Sequence, residues 1–287
     1  MRFYQPPPAL RRFFTTFYYI DLVVAGGGLV QDYLHPEWAN LRFHSGGLPT
    51  AKSLNGTSVS GSNFTASGPS AHAVHFRITS SRMWGIGLLP LGWAKYVGVP
   101  AHELANVVAD GHEHPAFEPF ASLAQTVFGP EPDEQGELER ITQWFLDQPS
   151  DPVPGEDFIL AIHKALIDPD IATVAALVES LDVGQRTLER MCLRVFGFAP
   201  KILLRRQRFM RSLSQYMLDP SLKWIGAMDS AYHDQAQFVR EFNDFMGMGP
   251  GVYAAMEHPI ISAIMRQRVF LDRPAAQTLD PPGALLP

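Results

Sequence analysis

At 287 residues, 46% hydrophobic and 18% charged, the chain is long enough for two domains with their own cores and is unlike a disordered polymer. Apolar runs such as Phe17–Ile20 and Ile86–Leu91 are too short to cross a bilayer, and a single cysteine, Cys192, excludes an internal disulfide framework and a cysteine-only metal site. Met1–Leu10 carries three consecutive prolines and no apolar signal core, so the expectation is a cytoplasmic protein with no membrane partner.

The net charge of −6 speaks against a nucleic-acid partner, but its distribution does not. Between Val183 and Arg211 seven arginines and Lys201 stand against one acid, Glu189. Phosphate contact needs a local basic surface, not a basic protein.

In chain order, Met1–Gly129 reads as mixed β and irregular structure. Strands are predicted at Phe13–Ile20, Leu41–His44, Ala73–Ile78 and Trp84–Leu89. Ser45–Ser70, rich in Gly, Ser, Thr and Asn, reads as hairpins and loops. Leu123–Phe128 and Gly136–Leu146 look helical. In the second of these Leu138, Ile141, Trp144 and Phe145 make a broad apolar face that docks within its own domain or forms a two-fold contact. Asp147–Gly155 contains prolines that prevent regular structure and is the linker candidate.

Beyond the linker the pattern turns helical. Val174–Ser180 is a short helix, Asp182–Gly184 a tight turn, and Gly184–Val195 a second helix with Leu188, Met191, Cys192 and Val195 on one face. Its other face carries Arg186, Arg190 and Arg194, with Glu189 beside them. Alone, such a stripe is accounted for by a solvated face on an amphipathic helix. Like charges at i, i+4 repel by a few tenths of a kcal/mol, however, so three arginines in series favour an anionic partner. Arginine can take guanine O6 and N7 together, and a glutamate can accept from cytosine N4. Gly197 and Pro200 then end one helix and start a long one, Pro200–Leu218, whose first half holds Arg205, Arg206, Arg208 and Arg211. A second copy follows: a short helix near Trp224–Ser230, a turn, and Asp234–Met246 with Phe238, Phe242 and Phe245 buried. Gly247 and Pro250 close it, fifty residues after Gly197 and Pro200.

These residues resemble the arabinose-regulator (AraC/XylS) family of transcription factors: Gly197-x-x-Pro200, Arg208, Phe238-Val239-Arg240-Glu241-Phe242 and Gly247-x-x-Pro250-x-x-Tyr253. The resemblance covers about Ile159–Met256. It implies two homeodomain-like helix-turn-helix units that insert recognition helices into successive major grooves. It also implies base-facing residues Gln185, Arg186, Glu189 and Arg190 in the first unit, and Gln235, Ala236 and Arg240 in the second. Arg194 on the arginine stripe, and Arg205 and Arg206 in the basic cluster of the long helix, are read from their charge as further DNA contacts. Departures are Cys192, Ala231, Tyr232, Gly226 and Ala236. Ser212–Glu257 also carries only Lys223 and Arg240 against six acids, so the first unit is expected to supply most of the affinity.

The N-terminal half is similar, more weakly, to the cupin-type sensor domains of one branch of that family, through Pro8–Ile20, Asp32–Glu37, Leu41–Phe43 and Gly85–Trp93. The expected fold class is therefore α+β: a β-barrel with flanking helices in 1–150, an all-α double helix-turn-helix in 156–258, and a tail in 259–287, in which a short apolar segment, Ile260–Leu271, is followed by a Pro/Ala/Leu-rich end expected to be poorly ordered. The resemblance implies double-stranded DNA and a small-molecule effector as partners, a homodimer as a further one, and RNA polymerase if the protein activates. Phe64, Phe76, Trp84, Trp93 and Tyr96 are the aromatic candidates for the effector cavity, although aromatic strand residues are core by default.

Seven of the ten histidines lie in this half, and His112-x-His114-x3-Glu118 matches the ligand spacing of cupin oxygenases. Asn106 and Gln125 stand where that pattern has glycines, and no second histidine motif follows, so neither a metal nor another cofactor is expected. Gly26–Gly28 lacks the lysine of a phosphate loop, and no catalytic residue is assigned. Cys192 reads as a small buried hydrophobe. Two rivals are a cupin-like metal-dependent enzyme with a degenerate helical appendage, and an interaction protein that does not bind DNA.

Overall fold

The computed structural model describes residues 1–283. Among them ten strands precede residue 111: β1 (Arg2–Tyr4), β2 (Phe14–Leu22), β3 (Val30–Leu34), β4 (Ala39–Gly46), β5 (Thr50–Ser53), β6 (Ser58–Ser60), β7 (Phe64–Ser67), β8 (Val74–Ile78), β9 (Ser81–Leu88) and β10 (Val108–Asp110). They form two antiparallel sheets, ordered β1-β2-β9-β4-β7-β10 and β3-β8-β5-β6. The four predicted strands are present. Ser45–Ser70 holds the hairpin β5–β6 and the strand β7 between loops, as expected, although its sequence places none of the three strands. Their short polar sequences have little apolar alternation to reveal them, and pairing with β4 and β8 makes them strands.

Alternation sends neighbouring side chains to opposite faces. Phe17, Tyr19, Trp84 and Ile86 face the helices, whereas Tyr18, Ile20 and Met83 face the space between the sheets. Gly85 serves this arrangement: a Cβ there would lie 1.9 Å from the Tyr18 ring, so only glycine lets that ring cross the strand.

A short helix α1 (Pro90–Gly92) continues into a π turn, Trp93–Val97, and α2 (Ala121–Thr126) and α3 (Glu134–Leu146) cover the outer face of the larger sheet. Phe145 of α3 meets Phe14 with ring centroids 4.6 Å apart, and the fully buried Glu137 accepts from Trp84 Nε1 at 2.7 Å and Arg82 Nη1 at 2.8 Å. The apolar face of α3 thus docks inside its own half, burial worth ~1.5–3 kcal/mol per large side chain.

Residues 147–155 hold no helix or strand. Then come α4 (Glu156–Ile167), α5 (Val174–Leu181), α6 (Gln185–Met191), α7 (Pro200–Leu218), α8 (Lys223–Ala227), α9 (Gln235–Met246), α10 (Pro250–Ala254) and α11 (Ile261–Phe270). Thr173 and Asp234 cap α5 and α9 through their side chains, and Gly197 (φ 85°) and Gly247 (φ 71°) take the left-handed conformation that stops the two recognition segments. The second helix of the first unit is not one α-helix: past Met191 it becomes a π turn, Cys192–Phe196. The wider turn keeps Cys192, Val195 and Phe196 buried.

The cores ignore the boundary near residue 150. Leu177, Leu188, Cys192 and Phe196 join the cluster that includes Phe17 and Trp84, and Ala71 and Ala73 join the cluster of α7 and α9. The loop Pro69–Ala73 touches both helix-turn-helix units: Pro69 lies against Gly197, and the Ala73 amide donates to the Phe245 carbonyl at 2.8 Å. Asn106 holds that loop, its Oδ1 accepting from the amides of Ala71 and His72. It adopts φ 62°, the glycine-like conformation of the position it occupies.

The expectation of a poorly ordered tail is corrected over the described residues. α11 packs on β1, β3 and α7, and Arg268 and Arg273 enclose the fully buried Asp280. Residues 284–287 lie outside the described residues.

Candidate nucleic-acid interface and interior cavity

On the first unit Gln185, Arg186, Arg190 and Arg194 are exposed and Glu189 is half-buried. Gln185 Nε2 donates to Glu189 Oε1 at 2.8 Å, which fixes the carboxylate beside the arginines without neutralising them. Leu188 and Cys192 lie beneath, fully buried, and burial pushes the Cys192 thiol up to about 12. The face is therefore rigid from below and basic above.

The arginines of α7 behave differently, and two of the proposed DNA contacts are corrected. Arg206 is fully buried: its guanidinium stacks on Trp38 at 3.9 Å and Nη1 donates to the Ser70 carbonyl at 3.0 Å. Burial alone lowers its pKa, because no carboxylate is beside it. Arg205 is spent on Glu241 (2.9 Å) and Asp244 (2.8 Å). Arg208 pairs with Glu241 at 2.6 Å, donates to the Ala231 carbonyl at 3.1 Å and stacks on Tyr232, and Arg211 pairs with Asp229 at 2.5 Å. The run between Arg205 and Arg211 thus holds the second unit onto α7. Sequence reading missed this because the acids that match these arginines come 18 to 39 residues later.

The second unit's departures acquire reasons here. Tyr232 donates its hydroxyl to Glu241 Oε2 at 2.9 Å, a bond phenylalanine lacks, and Ala231 does not adopt a positive φ. Gln235, Ala236 and Arg240 are exposed at the start and middle of α9. Between the units lies an open groove of about 710 Å³ whose cations include Lys201 and Arg240, with Glu241 and Asp244 on the same wall.

Inside the N-terminal half, two adjoining cavities of about 60 Å³ each share Tyr18, Leu34, Arg42 and Ile264. One lies between the sheets, the other between β2, β4 and the chain from α11 to Gln277. Of the five aromatic candidates only Phe76 lines them. Phe64 and Trp84 are one residue out of phase with the cavity-facing Thr65 and Met83, so the pleat turns them into the helix-covered core. Trp93 is buried with its Nε1 on the Val99 carbonyl, and Tyr96 packs against Phe13, Phe14 and Phe145. The residues missed are Tyr18, Arg42 and His44. Their signal is the alternation in Leu41-Arg42-Phe43-His44, which puts two polar groups on the face opposite two core residues.

Arg42 is buried and fully engaged. Its Nη2 donates to Glu37 Oε1 at 2.6 Å and its Nε to the Tyr18 hydroxyl at 3.1 Å. Burial opposes its charge, but Glu37 and Tyr18 more than compensate, and its pKa is raised. His44, 3% exposed, is held neutral by burial, with the Arg42 charge adding to it, and its pKa falls to about 3. The α11 end of the cavities is fixed by Asp32, whose Oδ2 accepts from the amides of Ile260 and Ile261 at 2.9 Å each.

The His112–Glu118 segment has other uses. His112 Nε2 meets Asn63 Oδ1 at 2.8 Å, and His114 Nδ1 accepts from the Ala116 amide at 3.3 Å to cap a 3₁₀ turn. Among the described residues no group of three or more His, Cys, Asp or Glu side chains is placed to hold a metal ion, and no helix is long and apolar enough to cross a membrane.

No protein-family model and no curated protein matches the chain. Among solved structures it is similar to ToxT from Vibrio cholerae. An apo ToxT variant of strain SCE256 is 11% identical, covering 84% of this chain and 98% of that one with a TM-score of 0.42. A second ToxT structure is 14% identical over 84% and 97%, TM-score 0.41, and ToxT bound to an unsaturated fatty acid is 12% identical over 84% and 94%, TM-score 0.38. Likeness at this level leaves function to be argued from this chain's own residues.

Proposed function

We propose that this chain is a sequence-specific DNA-binding transcription regulator of AraC/XylS type, acting in the cytoplasm and responding to a small-molecule effector. The observation that carries the reading is the contrast between two sets of arginines. Those on α7 are all used inside the protein, whereas Arg186, Arg190 and Arg194 stand exposed on a helix anchored from below, with Glu189 as the one acid beside them. A basic recognition face that the fold does not neutralise fits the phosphates and guanine edges of a major groove.

In this reading residues 156–258 bind double-stranded DNA, chiefly through Gln185, Arg186, Glu189, Arg190 and Arg194. Gln235 and Arg240 contribute a weaker second contact. Residues 1–150 hold the effector in the cavities around Tyr18 and Phe76. The shared cores support coupling between the halves, since a change in the barrel reaches both helix-turn-helix units through Pro69–Ala73. A homodimer and, for an activator, RNA polymerase complete the set of partners. No catalytic residue belongs to it.

The test is selection of duplexes from a random pool by the full chain, followed by anisotropy titrations on the enriched site. Arg190→Ala is expected to weaken binding ~10- to 100-fold, from ~1–3 kcal/mol per bidentate contact, and Arg240→Ala less. Affinity must also fall steeply with salt. No enrichment of any sequence would sink the reading, and a larger loss from Arg240→Ala would reverse the order of the two units.

A further inference from the structure

We propose that the interior cavity takes a neutral, compact, largely hydrocarbon ligand carrying one hydroxyl or carbonyl group, received by Nδ1 of His44. The proposal rests on the effector reading above and specifies the chemistry of that site.

The walls are apolar: Ile20, Leu34, Phe76, Ile78, Met83 and Ile264 come from both sheets and from α11. Polar groups gather around Arg42 and His44, and their bonds can be followed one by one. Arg42 has its charge matched by Glu37, and its Nη1 also reaches Ser67 Oγ at 3.4 Å. Glu37 Oε2 accepts from Asn40 Nδ2 at 2.8 Å. The Tyr18 hydroxyl, accepting from Arg42, donates to Asn40 Oδ1 at 3.3 Å. Ser81 Oγ lies within hydrogen-bond distance of the Arg82 carbonyl at 3.2 Å. His44 Nε2 lies 3.5 Å from Thr65 Oγ1, which leaves Nδ1 buried and without a partner among the described residues.

A buried polar atom without a partner is uncommon and points to a group that is supplied from elsewhere. An anion is the wrong group. The two arginines that line the adjoining spaces, Arg42 and Arg268, are already paired with Glu37 and Asp280, and the imidazole stays neutral, so an ionised carboxylate would be desolvated with nothing to balance it. A hydroxyl or carbonyl meets the requirement at no such cost, and the neutral imidazole can donate or accept at Nδ1 according to its tautomer. The size limits the body: each of the two adjoining spaces, about 60 Å³, is well under the roughly 150 Å³ of a cavity that takes benzene, so a short branched chain of a few carbons fits and a ring does not.

The experiment is calorimetric titration of the full chain, without DNA, with propan-2-ol, 2-chloropropane and 2-methylpropanoate at pH 7.5. These share a branched body and differ in one group. The alcohol is expected to bind about tenfold more tightly than the chloride and the carboxylate most weakly, and His44→Leu to abolish the difference between alcohol and chloride. Carboxylate binding as tightly as the alcohol, or no binding by any of the three, overturns the proposal. So does an alcohol preference that survives in His44→Leu. Because DNA is absent, the result is independent of the regulator reading: DNA binding without ligand binding overturns the ligand chemistry alone, and alcohol binding without DNA binding overturns the regulator and keeps the site.

Discussion

His35 Nε2 and the Tyr253 hydroxyl lie 2.6 Å apart, a buried bond between the residue that follows β3 and the tyrosine that ends the second helix-turn-helix unit. The Tyr253 ring also stacks on His258 at 4.0 Å, and His258 Nδ1 reaches Asp32 Oδ1 at 3.3 Å. Residues 32–35 of the N-terminal half thus hold the chain on either side of the α10–α11 junction. Tyr253→Phe is expected to cost ~1–3 kcal/mol, because it leaves the His35 nitrogen buried without its partner. A double-mutant cycle with His35→Leu, read by denaturant unfolding, should give a coupling of ~1 kcal/mol or more; additive effects would show that the bond contributes nothing.

Acid should destabilise the fold well before its carboxylates titrate. Burial lowers the pKa of His35, His44 and His163 to about 3 each, so the unfolded chain binds their protons first as pH falls below about 6.5. Stability contributed by neutral imidazoles is present above the unfolded pKa and declines by ~1.4 kcal/mol per group per pH unit below it. His258 runs the other way. Burial disfavours its charge, but Asp32 and the Tyr253 carbonyl outweigh that and raise its pKa, so its contribution is full below about 6.5 and is lost as pH rises through the folded value. Burial also lowers the pKa of His72 and His75, so five groups against one predict a net fall in melting temperature between pH 6.5 and 5. A flat profile across that window would contradict the burial of these imidazoles.

Removing the charge of Arg206 should leave DNA affinity almost untouched. The side chain contacts Trp38 and two carbonyls of the N-terminal half, not solvent. Arg206→Met keeps the apolar stem and relieves a buried cation without a counter-charge, so the operator affinity is expected to stay within about twofold while Arg190→Ala loses ~10-fold or more. Anisotropy on the selected duplex decides, and equal losses would put Arg206 back on the DNA face.

Asp32 fixes the start of α11, and α11 closes one end of the cavities through Ile260 and Ile264. Asp32→Ala leaves two amides and His258 without their acceptor. Limited proteolysis is expected to cut the variant between Glu257 and Asp272 several-fold faster than the parent, with ~1–3 kcal/mol lost locally. An unchanged digestion pattern would mean that packing on α7, not Asp32, holds the segment.

The amino-acid sequence by itself determined much of the helical half. Gly197, Pro200, Gly247 and Pro250 act through their own backbone preferences, so their effect on helix ends is local and visible in one dimension. The apolar faces of α6 and α9 and the exposure of Arg186, Arg190 and Arg194 followed from helical spacing alone. Strands β2, β4, β8 and β9 were legible for the same reason at period two.

What only the tertiary structure decided concerns partners far apart in the chain. Whether an arginine is free depends on acids that folding brings near it: Glu241 for Arg205 and Arg208, Asp229 for Arg211, and none for the buried Arg206. Which of two neighbouring strand residues sees the cavity depends on the side that the helices cover, a choice that left Phe76 inside and sent Trp84 and Phe64 to the core. The segment after the second unit looked like a tail because its contacts, Asp32 to Ile260 and Thr16 to Arg268, span more than 220 residues. Local propensity carries no information about such pairs, since their energy exists only once both ends are in place.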